Sequence, residues 1–239
     1  MKTIIIVPAR SGSKGIKNKN LSYLNKKPLI YYTLAICKKL KNKYETLIST
    51  DSDKIAAYCK LLGFKTTYRR PKKLSRSNSK MSEAAIHGIN WYQKNYKKKI
   101  SHIILLQPTS PLRKINDVIS AIKTVKKENL DSLASISTAK QSSMKFLKIK
   151  KTNTFNKWKF SRKRKKIIHN RQNFDANEFI FNGSIYVASV DFLKKYKRFV
   201  VENRTYLFKS HEPIAVDIAN NEDLFLAELI IKNKKNFKI

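Results

Sequence analysis

The chain has 239 residues, and 52 Lys and Arg against 16 Asp and Glu give it a formal net charge of +36. Hydrophobic residues make up 41%, enough for one sizeable core, which excludes wholesale disorder. No apolar run approaches the roughly 18–20 residues that cross a bilayer, the apolar start is too short for a signal peptide, and Cys37 and Cys59 lack metal-ligand spacing, so membrane, collagen and disulfide-scaffold classes are out and a reducing cytoplasm is expected.

Short apolar runs alternate with helical patterns along most of the chain. Ile4–Val7 reads as a buried strand, and Pro28–Leu40 as a helix with Leu29, Ile30, Thr33, Leu34 and Cys37 on one face. Leu47–Thr50 is a second strand. Asp51–Leu62 is a helix that Asp51 and Asp53 are expected to cap and Gly63 to end. A short strand is predicted over Phe64–Tyr68 and a helix over Ser82–Tyr96. His102–Leu106 is a central strand, Asn116–Glu128 a helix and Ser132–Ser137 another strand. Residues 140–172 then carry 13 basic residues and no acid, with a weak strand pattern over Met144–Ile149, so an excursion from the sheet is expected there. Ser184–Ala188 resumes the sheet, and helices follow near Val190–Tyr196 and from Asn221 to Lys232. Such alternation predicts a single three-layer α/β domain over 1–239, with a mostly parallel sheet between helices.

The charge has two readings. A basic surface is the electrostatic footprint of a nucleic-acid or anionic-surface binder, and Phe155, Trp158 and Phe160 are interleaved with the basic run. Yet 42 of the 52 cations are Lys and only 10 are Arg, alongside abundant Asn and Ile. All three have AT-rich codons, so compositional drift accounts for most of this surface without selection for binding. Lys is also the weaker choice for planar, bidentate recognition.

The first turn after a strand carries the strongest chemical signal: Pro8-Ala9-Arg10-Ser11-Gly12-Ser13-Lys14-Gly15, then Lys19-Asn20. Ligands of open α/β sheets sit beyond the carboxyl ends of the strands, where a Gly-rich loop can turn backbone N–H groups toward an anion. Arg10, Lys14 and Lys19 add three cations, suited to a triphosphate. The loop fits neither the P-loop nor the dinucleotide fingerprint. Two of only 5 glycines in the chain fall here, which a merely basic turn does not require. Gln107-Pro108-Thr109-Ser110-Pro111-Leu112-Arg113 leaves another strand at the same face, with Gln107, Thr109, Ser110 and Arg113 expected to offer donors. Asp217 interrupts a short apolar run in an acid-poor chain and is a candidate Mg²⁺ ligand, or else a turn cap or lysine partner. Glu222 and Asp223 suit the first turn of the last helix. The four His share no ligand spacing.

Together with Ser49-Thr50-Asp51-Ser52, Arg70-Pro71, Asn170-Arg171-Gln172, Asn182-Gly183-Ser184-Ile185-Tyr186 and Val216-Asp217-Ile218, these stretches resemble the acylneuraminate cytidylyltransferases and their relatives acting on legionaminic-type nonulosonic acids. The more distant Kdo-activating enzymes are less similar. The resemblance implies a Rossmann-like nucleotidyltransferase fold and a transferase that moves CMP from CTP to the anomeric hydroxyl of a 2-keto sugar acid, releasing pyrophosphate, for cell-surface glycan biosynthesis. It implies catalytic roles for Arg10, Lys19 and Asp217, with Mg²⁺ on Asp217. Ser13, Lys14, Gly15 and Asn20 would assist at the CTP phosphates, with Arg70 and Ser82 facing the cytidine. Gln107, Arg171 and Asn182 would bind the sugar. A homodimer is also implied, in which the excursion at 140–178 packs on the partner and lends it Arg171. The chain departs from the family pattern at Ala219, where a second metal carboxylate is common, at Ile180, where an Arg is frequent, and at Ser77, where an Asp is. The competing expectation is a basic binding protein on a degenerate scaffold of the same fold.

Overall fold

A computed structural model of the chain describes residues 2–13, 15–139, 149–151, 158–160, 179–211 and 216–233. Its elements run β1 (Thr3–Pro8), β2 (Tyr23–Leu24), β3 (Lys27–Pro28), α1 (Leu29–Leu40), β4 (Glu45–Ser49), α2 (Asp53–Leu61), α3 (Met81–Tyr96), β5 (His102–Leu105), α4 (Ile115–Lys127) and β6 (Ser132–Thr138). Then come β7 (Ile149–Lys151), β8 (Trp158–Phe160), β9 (Phe179–Ser189), α5 (Val190–Tyr196), β10 (Tyr206–Lys209) and α6 (Asn221–Lys232). The chain divides into two compact units, Met1–Ile136 with Phe181–Ile239, and Ser137–Ile180. In the smaller unit β7 and β8 pair antiparallel, Ile149 opposite Phe160. The rest of the strand expected over Met144–Ile149 lies outside the described residues, as does most of the basic run.

The main sheet has six strands in the order β10-β6-β9-β5-β1-β4. β1 pairs parallel with both β4 and β5, Ile6 standing opposite Leu47 on one side and Leu105 on the other. β9 enters antiparallel beside β5, so the sheet is mixed though mostly parallel. Alternation along each strand feeds two cores. Ile5, Val7, Ile104 and Val187 pack under α1, α2 and α4 with Leu34, Cys37, Ile55 and Val118. Ile4, Ile6, Ile103 and Leu105 face α3 and α5 with Ile89, Tyr92 and Leu193. Both sheet faces are therefore covered, which is why the strands read as unbroken apolar runs.

The local details differ from expectation in places. Ser52 caps α2, its Oγ accepting from the Ile55 amide at 3.3 Å. Asp51 instead turns toward the first loop, and Asp53 sits in the first helical turn, 3.3 Å from Arg69. Gly63 does take the left-handed conformation (φ 85°) after the helix. No strand forms over Phe64–Tyr68. There the Tyr68 ring is drawn into the second core against α3, its hydroxyl 2.9 Å from His87 Nδ1. Two elements have no clear sequence period. β10, with mostly exposed side chains, pairs parallel with β6. β2 and β3 form a two-residue ladder around Asn25 and Lys26, both at positive φ.

Replacing Ser52 with Ala is expected to lower stability by about 1 kcal/mol, the usual worth of a helix cap. Asp53→Ala, which removes an exposed ion pair, should change it by less than about 0.5 kcal/mol. Urea denaturation of the two variants distinguishes the cap from the charge.

Candidate active site

Parallel pairing of β1 with β4 and β5 delivers three loops to one edge of the sheet: the first loop after Pro8, Thr50–Asp51 after β4, and Gln107–Arg113 after β5. Each loop is braced. Asp51 accepts from the Ser11 amide at 2.8 Å and from its hydroxyl at 2.7 Å. Buried Asn20 donates its side-chain amide to the Arg10 carbonyl at 2.9 Å. Arg70, only 4% exposed, donates Nε to Ser49 Oγ and Nη2 to the Ser49 carbonyl, at 3.0 and 2.6 Å. Burial pulls its guanidinium below the usual range, while Tyr68 and Asp51 pull the other way.

A third apolar cluster positions the last piece. Val216 and Ile218 are buried with Ile16, Leu112 and Ile230, so Asp217 between them must face outward, and it is exposed. Two contacts then tie this segment to the first loop. Lys19 Nζ donates to the Ile218 carbonyl at 2.6 Å. A Cβ on Gly15 would lie 2.2 Å from the Ala219 carbonyl oxygen, so only glycine lets the two backbones meet. Asp223 closes the junction from α6, accepting from the amides of Ala219 and Asn220 at 2.8 and 3.1 Å.

These loops enclose a cleft of about 410 Å³ lined by Arg10, Ser13, Gly15, Lys19, Asn20, Arg70, Ser77, Met81, Gln107, Thr109 and Ala219, with Pro8 and Pro108. It contains cations and hydroxyls but no carboxylate, as an anion site requires. A second cleft of about 450 Å³ shares Met81 and Gln107 with it and adds Lys80, Ser82, Leu105, Tyr186, Lys197, Arg198, Phe199 and Val200. Asp217 is felt on both sides. Burial lowers the Lys19 pKa, with Asp217 opposing and Arg10 reinforcing; burial raises that of Tyr186, and Asp217 adds to it. Gly183 takes φ 71°, a conformation that favours glycine, and lies between Asp217 and Gln107, where a Cβ would make ordinary contact with both side chains at 3.6 Å.

Most of the expected site residues thus converge, and three hold unexpected posts. Ser82 donates its hydroxyl to the Lys197 carbonyl at 2.6 Å and lines the second cleft rather than the first. Asn182 is buried: its Oδ1 accepts from Ser135 Oγ at 2.5 Å, and its Nδ2 donates to Ser210 Oγ at 2.8 Å. Arg113, expected to offer donors at the strand-end face, is buried and turned inward. Lys14 and Arg171 lie outside the described residues. The motif around Tyr186 gives that ring no role, and no motif at all marks Lys197, Arg198 and Phe199, so these four lining residues emerge from the structure.

Among the described residues no group of three or more His, Cys, Asp or Glu could cage a metal ion. Asp217 makes no ion pair or hydrogen bond among them, in contrast to Asp51, Asp117 and Asp223. One unattached carboxylate near a cationic cleft fits Mg²⁺, which takes one or two carboxylates with phosphate oxygens and water.

A family model described as cytidylyltransferase matches residues 4–234. An N-acylneuraminate cytidylyltransferase from Streptococcus agalactiae serotype V is 33% identical over 135 residues, 56% of this chain but only 31% of that protein. The post-translational flagellin modification protein B of Campylobacter coli is 27% identical over 232 residues, covering 95% of this chain and 93% of its own. Among solved structures, a CMP:2-keto-3-deoxy-manno-octonic acid synthetase complexed with CTP superposes with a TM-score of 0.67 at 17% identity, over 98% of this chain and all of that one; the likeness is one of fold.

Gly15→Ala should force the first loop off the Ala219 carbonyl. The expected result is at least a tenfold loss of CTP affinity by calorimetry, about 1.4 kcal/mol. The melting temperature should fall as well, because Gly15 and Ala219 adjoin Ile16 and Ile218 of the third apolar cluster.

Proposed function

The chain belongs to the cytidylyltransferase family, and we propose that it transfers CMP from CTP to the anomeric hydroxyl of a nonulosonic 2-keto acid of the sialic or legionaminic type. The observation that carries this reading is the junction of two clefts at Gln107 and Met81, with Asp217 near Gln107 across Gly183. One cleft suits a triphosphate. The other pairs aromatic walls, Tyr186 and Phe199, with Lys80, Lys197 and Arg198, a lining suited to a bulky acid.

In this reaction the acceptor oxygen bonds to the α-phosphorus, the bond from that phosphorus to the bridging oxygen of pyrophosphate breaks, and the hydroxyl proton is released. Little covalent chemistry falls to the protein, so its contribution is positioning and charge neutralisation. Arg10, Lys14 and Lys19 balance the phosphates, with Ser13, the Gly15 backbone and Asn20 shaping the loop. Arg70, fixed by Ser49, holds the nucleotide side. Gln107 stands between nucleotide and acceptor. Ser82 serves by holding the Lys197 carbonyl, and Asn182 by tying Ser135, Ser210 and the Ser184 amide together around Gly183. Asp217 would hold Mg²⁺, which when bound supplies positive charge to the phosphate oxygens.

We also assign Arg171 to the acceptor side and infer a homodimer joined through the excursion at 140–178. Exposed Phe181, Tyr206 and Leu207 on β9 and β10 support such an interface. Free, buried Cys37 and Cys59 suit a reducing cytoplasm.

Pyrophosphate release from CTP and Mg²⁺ with a panel of nonulosonic acids tests the reading. Release is expected with at least one of them, and none from a folded, CTP-binding protein would refute it. Lys19→Ala should cost about 10²–10³-fold in kcat, the usual loss for one transition-state charge partner. Asp217→Asn should raise the Mg²⁺ concentration needed for half-maximal rate.

Lys19 must be protonated to bind phosphate, and its pKa is lowered mainly by burial. The alkaline limb of kcat/KM for CTP should therefore fall below the ordinary lysine range. Lys19→Arg keeps its proton and should move that limb to higher pH.

A further inference from the structure

We propose that Arg113 is a positioning residue for the acceptor half of the site, acting through Gln107. This rests on the two-cleft reading above. Arg113 is 5% exposed, and its guanidinium joins three elements. Nε donates to the Ser184 carbonyl of β9 at 2.7 Å, Nη1 to Thr33 Oγ1 of α1 at 3.0 Å, and Nη2 to the Gln107 carbonyl at 2.5 Å. Thr33 Oγ1 donates in turn to the same Gln107 carbonyl at 3.3 Å.

Burying a cation is unfavourable, and stapling three elements alone does not require one. What the fork adds is direction. Its donors lie in one plane at fixed angles, which a lysine ammonium on a flexible stem cannot reproduce. Two of them grip the carbonyls on either side of one contact. Gln107 Nε2 donates to the Gly183 carbonyl at 3.3 Å, and Gly183 directly precedes Ser184. Arg113 therefore fixes both backbones from which that contact is made. The contact sets the amide of Gln107 at the boundary of the two clefts, facing Asp217 across Gly183.

The nucleotide side is braced independently, by Asp51 on Ser11, Asn20 on Arg10 and Ser49 on Arg70. Loss of the fork should fall on the acceptor and spare the nucleotide. A plain core staple would not discriminate in this way.

The test compares Arg113→Lys, Gln107→Ala and the double variant with the unmodified protein. Arg113→Lys should leave the calorimetric Kd for CTP within about threefold and lower kcat/KM for the acid roughly 10–100-fold, a range typical of lost support behind a ligand-contacting group. The double variant should be no worse than Gln107→Ala alone, since residues acting through one another are not additive. Independently of turnover, the side-chain amide NMR signal of Gln107 should shift in Arg113→Lys while the backbone signals of Gly15 and Arg70 stay. Parallel losses of CTP binding, turnover and melting temperature, additive effects in the double variant, or an unmoved Gln107 signal would each overturn the proposal. If no acid is turned over by the unmodified protein, the function reading fails, and the NMR and CTP arms still decide the role of Arg113. Should Arg113→Lys not fold, Thr33→Val removes one acceptor of the fork and should shift the Gln107 signal in the same direction by less; no shift overturns it equally.

Discussion

Everything in this site depends on the parallel ladder on both sides of β1. Because Ile6 lies level with Leu47 and Leu105, the strands end together, and the loop after each strand emerges at one edge. Parallel strands demand helical crossovers, so α1, α2 and α3 are a necessary part of assembling three loops that are distant in sequence. The two apolar faces of those strands anchor the loops' roots, and buried Ser49 at the end of β4 adds a polar tie to Arg70. The side chains of the loops are then free to meet ligands.

A second closure is needed, because a cationic loop has no reason by itself to stay near the far end of the chain. Lys19 reaches the Ile218 carbonyl across 199 residues of sequence, and Gly15 lies flat against Ala219. Asp223 secures the same turn from the capping box of α6. Ala219 thus occupies a place where backbone meets backbone, with its own amide engaged by Asp223. With alanine there, Asp217, exposed two residues earlier beside Gly183, is the carboxylate of the 216–219 segment.

In a chain with +36 of net charge, the position of each acid matters more than that of each lysine. Asp51 holds Ser11, Glu45 is held by Lys98 and Tyr92, and Asp117 holds His211. Each is engaged in keeping a loop or strand end in place. Among the described residues, few of the cations are held in a comparable way. Arg10, Lys19, Arg70 and Arg113 are fixed by geometry, while most lysines lie on the surface.

The alternation of strands and helices, the first loop and Asp217 are all legible in the sequence, because apolar periodicity and scarce glycines or acids leave a local trace. Helices α5 and α6 fall on the predicted residues for that reason. β10 and the β2–β3 ladder leave no trace, since their side chains are largely exposed and only pairing partners define them. Tyr68 overrides a local strand pattern by entering a core built from other elements. The inward turn of Arg113, the engagement of Asn182 and Ser82 by neighbours, and the second cleft beside the first belong to the tertiary structure alone. Those outcomes depend on which carbonyls lie within reach once β9 is seated beside β5, and a contact between residues about 70 or 80 positions apart has no local signature.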